Sequence, residues 1–333
     1  MNETRFDNDS NPIGSQEDGE DGNALSNVYF YQTPTFVKVL MVLLFATASA
    51  VTLVGNGLVI IVIGKIRRLQ IPANLTIVNL ALYDFLMGLV AIAVLLPHLT
   101  RLRCVFVVVF GSSVLRGGVL GIGLCTINRY VAIVHPLRYN QLMTAKRTCI
   151  LMGLCLLYAL ATGIAIGIDV AYSWGPLSTC NIDKEITSGI VAFQITNYIA
   201  LVIIMTYCYI IIAKIAWDHT VRMAAATAAQ REELSTFDAI MKKSKIMLIV
   251  VGTSFLFIMP NVIHTLLVHI VEASKLSASG LQILRWIRLL GFIINTWLNP
   301  IIYFYKYKDF RQAAKELFGC KPSSIAPFQP SME

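Results

Sequence analysis

The sequence predicts an all-helical integral membrane protein, a bundle of seven spanning helices with a short amphipathic eighth, on three observations. Its apolar residues gather in seven long blocks, each about the 20 residues that carry a helix across a bilayer core. Only 14% of its 333 residues are charged and 56% are hydrophobic, with a mean hydropathy of +0.67. Soluble domains carry roughly 25% charged residues. Its Lys and Arg residues crowd into alternate loops, the asymmetry that orients membrane helices.

The first 35 residues form a tail rich in Asp, Glu, Gly, Ser and Asn, the composition of a disordered segment. It lacks the apolar core of a cleavable signal peptide, so the first span is expected to act as the insertion signal. Asn2-Glu3-Thr4 and Asn8-Asp9-Ser10 are N-glycosylation sequons and need an extracellular setting. The spans are read at about 36–65, 72–98, 103–134, 148–170, 188–216, 244–270 and 280–304. They make one bundle domain over 36–305, where no lipid-facing backbone group is left unsatisfied if each block is helical. The segment 306–320 reads as an amphipathic surface helix, with Phe310, Ala313, Ala314, Leu317 and Phe318 on one side, and 321–333 as a cytosolic tail. Residues 218–241, between spans five and six, read as helical extensions into the cytosol.

Orientation follows from the basic residues. Lys65, Arg67 and Arg68 follow the first span, Arg138, Lys146 and Arg147 the third, and Lys214, Arg222, Arg231, Lys242, Lys243 and Lys245 flank the loop after the fifth. With Lys306, Lys308, Arg311, Lys315 and Lys321 they outnumber Arg5, Lys38, Arg101, Arg103, Lys184, Lys275, Arg285 and Arg288 on the opposite side. The first set is therefore cytosolic and the N-terminus extracellular. The net charge of +8 reads as topology and contact with anionic lipid; a nucleic-acid partner is not expected. Asn74-Leu75-Thr76 matches a sequon but begins the second span on the cytosolic side, so it should stay unmodified.

Cys104 and Cys180 fall in extracellular positions, where oxidising surroundings allow them to pair. Cys125, Cys149, Cys155 and Cys208 lie in apolar stretches and read as small buried hydrophobes. Cys320 ends the amphipathic segment; palmitoylation and an ordinary free thiol are both open readings.

Polar groups inside the spans carry the most information, because burying them in lipid is costly. The first span holds Gly55-Asn56 and the second Leu80-Ala-Leu-Tyr-Asp84. The third ends Asn128-Arg129-Tyr130, 25 residues past Cys104, and leads into Pro136-Leu-Arg-Tyr139. The seventh ends Asn295-Thr-Trp-Leu-Asn299-Pro300-Ile-Ile-Tyr303.

Taken together and in this order, these residues resemble the rhodopsin-like (class A) G-protein-coupled receptors over about 36–320. The sequence also shares Pro136-Leu-Arg-Tyr139 and Met143-Thr144 with mammalian odorant receptors, whose longer signatures in the third and sixth spans it lacks. The resemblance implies a receptor that passes an extracellular ligand signal to a heterotrimeric G protein by outward movement of the sixth helix, with arrestin and membrane lipids as further partners. It implies that Arg129 holds the cytosolic end closed at rest and meets the G protein on opening. Tyr209 and Tyr303 would turn inward to support the open state, and Pro260 would bend the sixth helix as its pivot. Asn56, Asp84, Asn295 and Asn299 resemble a sodium pocket; a protonated Asp84 bonded to Asn56 and Asn299 is the alternative. No other metal or cofactor is expected.

The sequence departs from the family pattern at several points. Asn128 stands where an acid precedes the arginine, and Ile240 where the sixth helix has another, so both usual partners of Arg129 are missing. Ile258 replaces the tryptophan two residues before Pro260, the fourth span lacks its tryptophan, and Leu201 stands about where the fifth has a proline. Gly111 replaces the aspartate that pairs with biogenic amines, and Ile293 the lysine that binds retinal. Neither an amine held by that ion pair nor a retinal Schiff base fits.

Arg116 is the positive clue to a ligand. It lies twelve residues below Cys104, about 18 Å along the third helix, and at that depth it needs a partner or a wet cavity. Gln194, Asn197, Asn261, His264 and Arg288 could line the same outer half. An anionic or hydrogen-bonding ligand (a carboxylate, lipid acid or peptide terminus) is the functional expectation, and an internal network among Arg116, Gln194 and Asn197 the structural one. A secondary transporter or channel is the alternative function, against which stand the odd number of spans, the lack of an internal repeat and the absence of a mid-helix acid pair beyond Asp84. An enzyme would need a catalytic constellation, and the five histidines (His98, His135, His219, His264, His269) supply none: His264 and His269 are five apart, off the i, i+4 ligand spacing.

Overall fold

A computed structural model describes residues 35–95, 100–173, 186–225, 227, 235–270 and 278–319. The tail with Asn2 and Asn8, the loop with Cys180, and Cys320 lie outside the described residues. The helices are α1 (Thr35–Lys65), α2 (Pro72–Leu95), α3 (Arg101–Val134), α4 (Ala145–Tyr172), α5 (Ser188–Ala225), α6 (Ser235–Ile270), α7 (Ala278–Lys306) and α8 (Lys308–Leu317). Seven of them are long and apolar enough to cross a membrane. Every described element is helical, and α5 and α6 run past their apolar stretches as their sequences suggested.

Local chemistry sets the helix ends. Thr100 and Thr144 cap α3 and α4 by accepting from the Arg103 and Arg147 amides at 3.5 and 3.3 Å, groups that have no partner within the helix. Pro72 opens α2, where its missing N–H costs nothing. A short 3-10 turn at Pro136–Arg138 and a one-turn helix at Tyr139–Leu142 connect α3 to α4. Gly319 stops α8 at φ +71°, a conformation that suits glycine. Pro260 lies inside α6, where it has no N–H to donate to the Leu256 carbonyl.

α3 is the axis of the bundle, packed against α2, α4, α5 and α6, while α7 closes the ring between α6 and α1. Its approach to α4 is the tightest, because Gly163 and Gly167 of α4 lie against Val109 and Ser113. The interior is unusually polar: Asn56, Asn79, Asp84, Asn128 and Asn299 are all buried. Large apolar side chains such as Phe36, Leu157, Ile203 and Ile210 face outward, as lipid-exposed helices require. α8 lies beside α1 and α7, with Phe310, Ala313 and Ala314 buried. Phe318, expected on that same face, falls past the last helical turn and is exposed.

Candidate functional site

Three polar clusters run along the inside of the bundle. The middle one joins α1, α2 and α7. Asn299 Nδ2 donates to Asp84 Oδ2 at 2.8 Å. Asn56 does not reach Asp84; its amide donates to the Thr52 and Thr296 carbonyls at 3.0 and 2.9 Å, and the two threonine hydroxyls lie 3.1 Å apart. Asn56 thus fastens α1 to α7. The side-chain oxygens of Asn56, Asn295 and Asn299 are buried with no hydrogen-bond partner among the described residues. Gly55 permits the approach, since a Cβ there would meet Pro300 at 2.9 Å. Tyr303, one turn on, is buried, its hydroxyl also without a partner among the described residues. Phe304 and Phe310 meet edge to face at 4.8 Å and carry α8 as a continuation of this turn.

The second cluster is at the C-terminal end of α3. Arg129 is only 8% exposed, and among the described residues no carboxylate pairs with it and its Nε lacks a partner. Asn128 is buried and accepts from the Tyr139 hydroxyl at 3.3 Å. Tyr130 points to α5, its ring 6.4 Å from that of Tyr207. The Tyr209 hydroxyl of α5 donates to the Leu248 carbonyl of α6 at 3.0 Å, tying the two helices together. Leu137, in the turn after α3, is 96% exposed.

The third cluster is in the half of the bundle toward the N-terminal end of α3. Arg116 is 5% exposed and lies over the ring of Tyr198 of α5, 5.1 Å from its centroid, within cation–π range. It makes no hydrogen bond or ion pair to a described residue. The expected network with Asn197 does not form, because Asn197 turns to α4: its oxygen accepts from the Tyr158 hydroxyl and its amide donates to the Phe193 carbonyl at 2.7 Å. Tyr198, the next residue, faces inward instead, about 100° round the helix. Gln194 and Asn261 are half-buried. His264 is buried, and its Nδ1 lies 3.1 Å from the Arg288 guanidinium; a guanidinium only donates, so Nδ1 accepts and α6 is joined to α7. Below Arg116 a narrow cavity opens between α3, α5 and α6, lined by Val119, Ile122, Tyr198, Leu201, Val202, Met205, Phe255, Ile258 and Met259. Every lining residue but Tyr198 is apolar, and Ile258 sits two residues before Pro260.

Sequence reasoning passed over Tyr198, Tyr158, Thr52 and Thr296. Tyr139 was visible only as the end of a motif. A bulky aromatic one residue from Asn197 was the one available hint of Tyr198, since adjacent positions on a helix look in different directions.

Cys104 is buried and disulfide-bonded. From it along α3, the bundle presents a polar cluster around Arg116, a second around Asp84 and a buried arginine at the far end of its central helix. Seven spanning helices with a polar interior define a multi-pass membrane protein. The family model for the 7 transmembrane receptor (rhodopsin family) matches residues 55–303, and the chain belongs to that family. It is 26% identical over 312 residues to the histamine H2 receptor of Homo sapiens, covering 86% of this chain and 81% of that one. It is 26% identical over 318 residues to the rhodopsin of Alloteuthis subulata (87% of this chain, 70% of that one). It is also 25% identical over 296 residues to G-protein coupled receptor 12 of Homo sapiens (85% and 83%). The protein is therefore a multi-pass membrane receptor of a family that signals through G proteins and is not a family of enzymes.

Proposed function

We propose that this receptor sits in the plasma membrane with its N-terminus outside and activates a heterotrimeric G protein when α6 swings outward about Pro260. The observation that carries this reading is the buried Arg129 at the inner end of α3, with no acid beside it among the described residues. A charge held in that way is stabilised by any movement that gives it water or a partner's carbonyl groups, so opening and coupling are linked. Tyr209, which ties α5 to α6 through Leu248, and Tyr303, whose hydroxyl has no partner among the described residues, are the groups that re-pair as the helices part. Cys104 pairs with Cys180 across the outer face, Asn2 and Asn8 carry glycans, Cys320 carries a lipid, and arrestin shares the cytosolic face. Purified receptor in lipid, mixed with G proteins of each class, should accelerate nucleotide exchange on at least one. Exchange by Arg129→Ala equal to wild type would defeat the reading.

Asp84 is a buried carboxylate, and the side-chain oxygens of Asn56, Asn295 and Asn299 have no hydrogen-bond partner among the described residues; such hard oxygen donors suit a small cation such as sodium. Bound there, the ion supplies positive charge that holds α2 against α7 in the resting arrangement.

The ligand acts from the outer half. Two relatives carry names tied to histamine and to opsins, but Gly111 and Ile293 leave this chain without the aspartate or lysine for either attachment. The cationic character of Arg116 and Arg288 suits an anionic or strongly hydrogen-bonding ligand instead.

A further inference from the structure

We infer that a small monovalent anion of halide size binds at the C-terminal end of α3, balances Arg129 and holds the receptor closed. The site arises from this chain's departures from its family, since Asn128 and Ile240 stand where acids would pair with the arginine. Its link to closure rests on the coupling reading above; the binding itself does not.

Arg129 is nine-tenths buried and makes no hydrogen bond or ion pair to a described residue. A guanidinium keeps its charge in any protein, and a buried charge left unpaired is costly. Its polar neighbours bring N–H and O–H groups but no negative charge. Asn128 accepts from Tyr139 through its oxygen, while its Nδ2 is buried with no partner among the described residues. The Tyr303 hydroxyl is likewise buried with no partner among the described residues. The Arg129 charge reaches that phenol and those of Tyr139 and Tyr307.

The deficit is opposite to that of the middle cluster. There the orphaned atoms of Asn56, Asn295 and Asn299 are oxygens, and a cation satisfies them. Here they are Arg129 Nε, Asn128 Nδ2 and a phenol hydroxyl, and what satisfies them accepts hydrogen bonds and carries negative charge. Water accepts hydrogen bonds but leaves the arginine charge unbalanced. A phosphate or sulfate brings more charge than one guanidinium needs, and more bulk than a residue only 8% exposed admits. Chloride supplies one charge and accepts hydrogen bonds from any direction. Bound to the closed arrangement alone, it favours that arrangement in step with its occupancy. As the helices part, Arg129 gains other partners and the ion leaves, so chloride restrains exchange in the absence of ligand.

Purified full-length receptor in neutral lipid, compared in sodium chloride and sodium gluconate of equal concentration, tests this, because only the anion changes. Melting temperature reports binding alone. Basal nucleotide exchange, taken relative to the G protein alone in the same salt, reports coupling. Chloride should raise the melting temperature along a saturating curve. It should lower basal exchange by about fivefold at roughly four times its half-saturating concentration. Asn128→Asp, which builds a carboxylate in beside the guanidinium, should melt alike in both salts and exchange slowly in both. Arg129→Gln, read by melting only, should also lose the chloride effect. Equal melting of wild type in the two salts overturns the inference, since water then suffices. A chloride shift of full size in Arg129→Gln puts the ion elsewhere and overturns it as well. A shift that both variants lose, with wild-type exchange indifferent to chloride, overturns the link to closure. No exchange on any G protein in either salt defeats the coupling reading, and the melting comparison still decides the ion site.

Discussion

The Tyr139 hydroxyl donates to the Asn128 side-chain oxygen at 3.3 Å, so a loop tyrosine engages the residue that stands where an acid would neutralise Arg129. Burial pushes the Tyr139 phenol above its ordinary value of 10.0, against the opposing effects of the nearby Arg129 charge and the Asn128 hydrogen bond. It remains a donor throughout the neutral range. The loop is held, but no carboxylate among the described residues balances the arginine charge next to it.

Ligand-free signalling follows from that imbalance. Asn128→Asp places a carboxylate beside Arg129 and should favour the closed arrangement. A bias of even about 1 kcal/mol changes a two-state population roughly fivefold, so basal second-messenger output should fall by about that factor at equal surface expression. Background output in wild type, with no drop in the variant, would contradict it.

Leu137 is the second cytosolic prediction. A leucine 96% exposed on the face expected to meet the G protein, in the turn directly after Arg129's helix, has no internal packing to lose. Leu137→Ala should leave the melting temperature unchanged and reduce G-protein exchange by about tenfold, the scale of a buried interface anchor. A variant with normal exchange would remove this turn from the docking surface.

The spans were legible because length and hydropathy alone set them: the blocks at 72–98 and 280–304 become helices at Pro72–Leu95 and Ala278–Lys306. The Asp84–Asn299 contact was legible because a buried acid in lipid must find a partner. The facing of individual side chains was not. These helices are apolar nearly all round, so periodicity does not mark which stripe looks inward. Hence Asn197 was placed beside Arg116, when it bonds Tyr158 and leaves the inward position to Tyr198. Asn56 was likewise offered to Asp84, although its amide donates instead to the carbonyls of Thr52 in its own helix and Thr296 of α7.

Sodium should stabilise the middle cluster. In buffers of equal ionic strength, wild-type receptor should melt higher in sodium than in potassium or choline salts. Asp84→Asn removes the anionic donor and should erase the difference. Because the change also spares a buried charge, the variant's own stability is uninformative, and only the ion dependence decides. Equal melting of wild type in all three salts would leave Asp84 as an ordinary hydrogen-bonded acid.

Two glycines separate packing from propensity. Gly291 of α7 lies against α6 just before Pro260, and a Cβ there would stand 2.6 Å from the Phe257 carbonyl oxygen and 3.8 Å from Pro260. The oxygen belongs to the backbone and cannot rotate away, so Gly291→Ala must push α7 from α6. Overpacking of this kind costs about 1–3 kcal/mol, and the receptor should melt measurably lower. Gly153 of α4 has no neighbouring atom within 4 Å of its would-be Cβ. There Ala gains only the helix preference of about 0.5–1 kcal/mol, so Gly153→Ala should melt slightly higher or unchanged. If both variants fell equally, the damage would come from the loss of glycine itself, and the close approach of α7 to α6 near Pro260 would not be a determinant of stability.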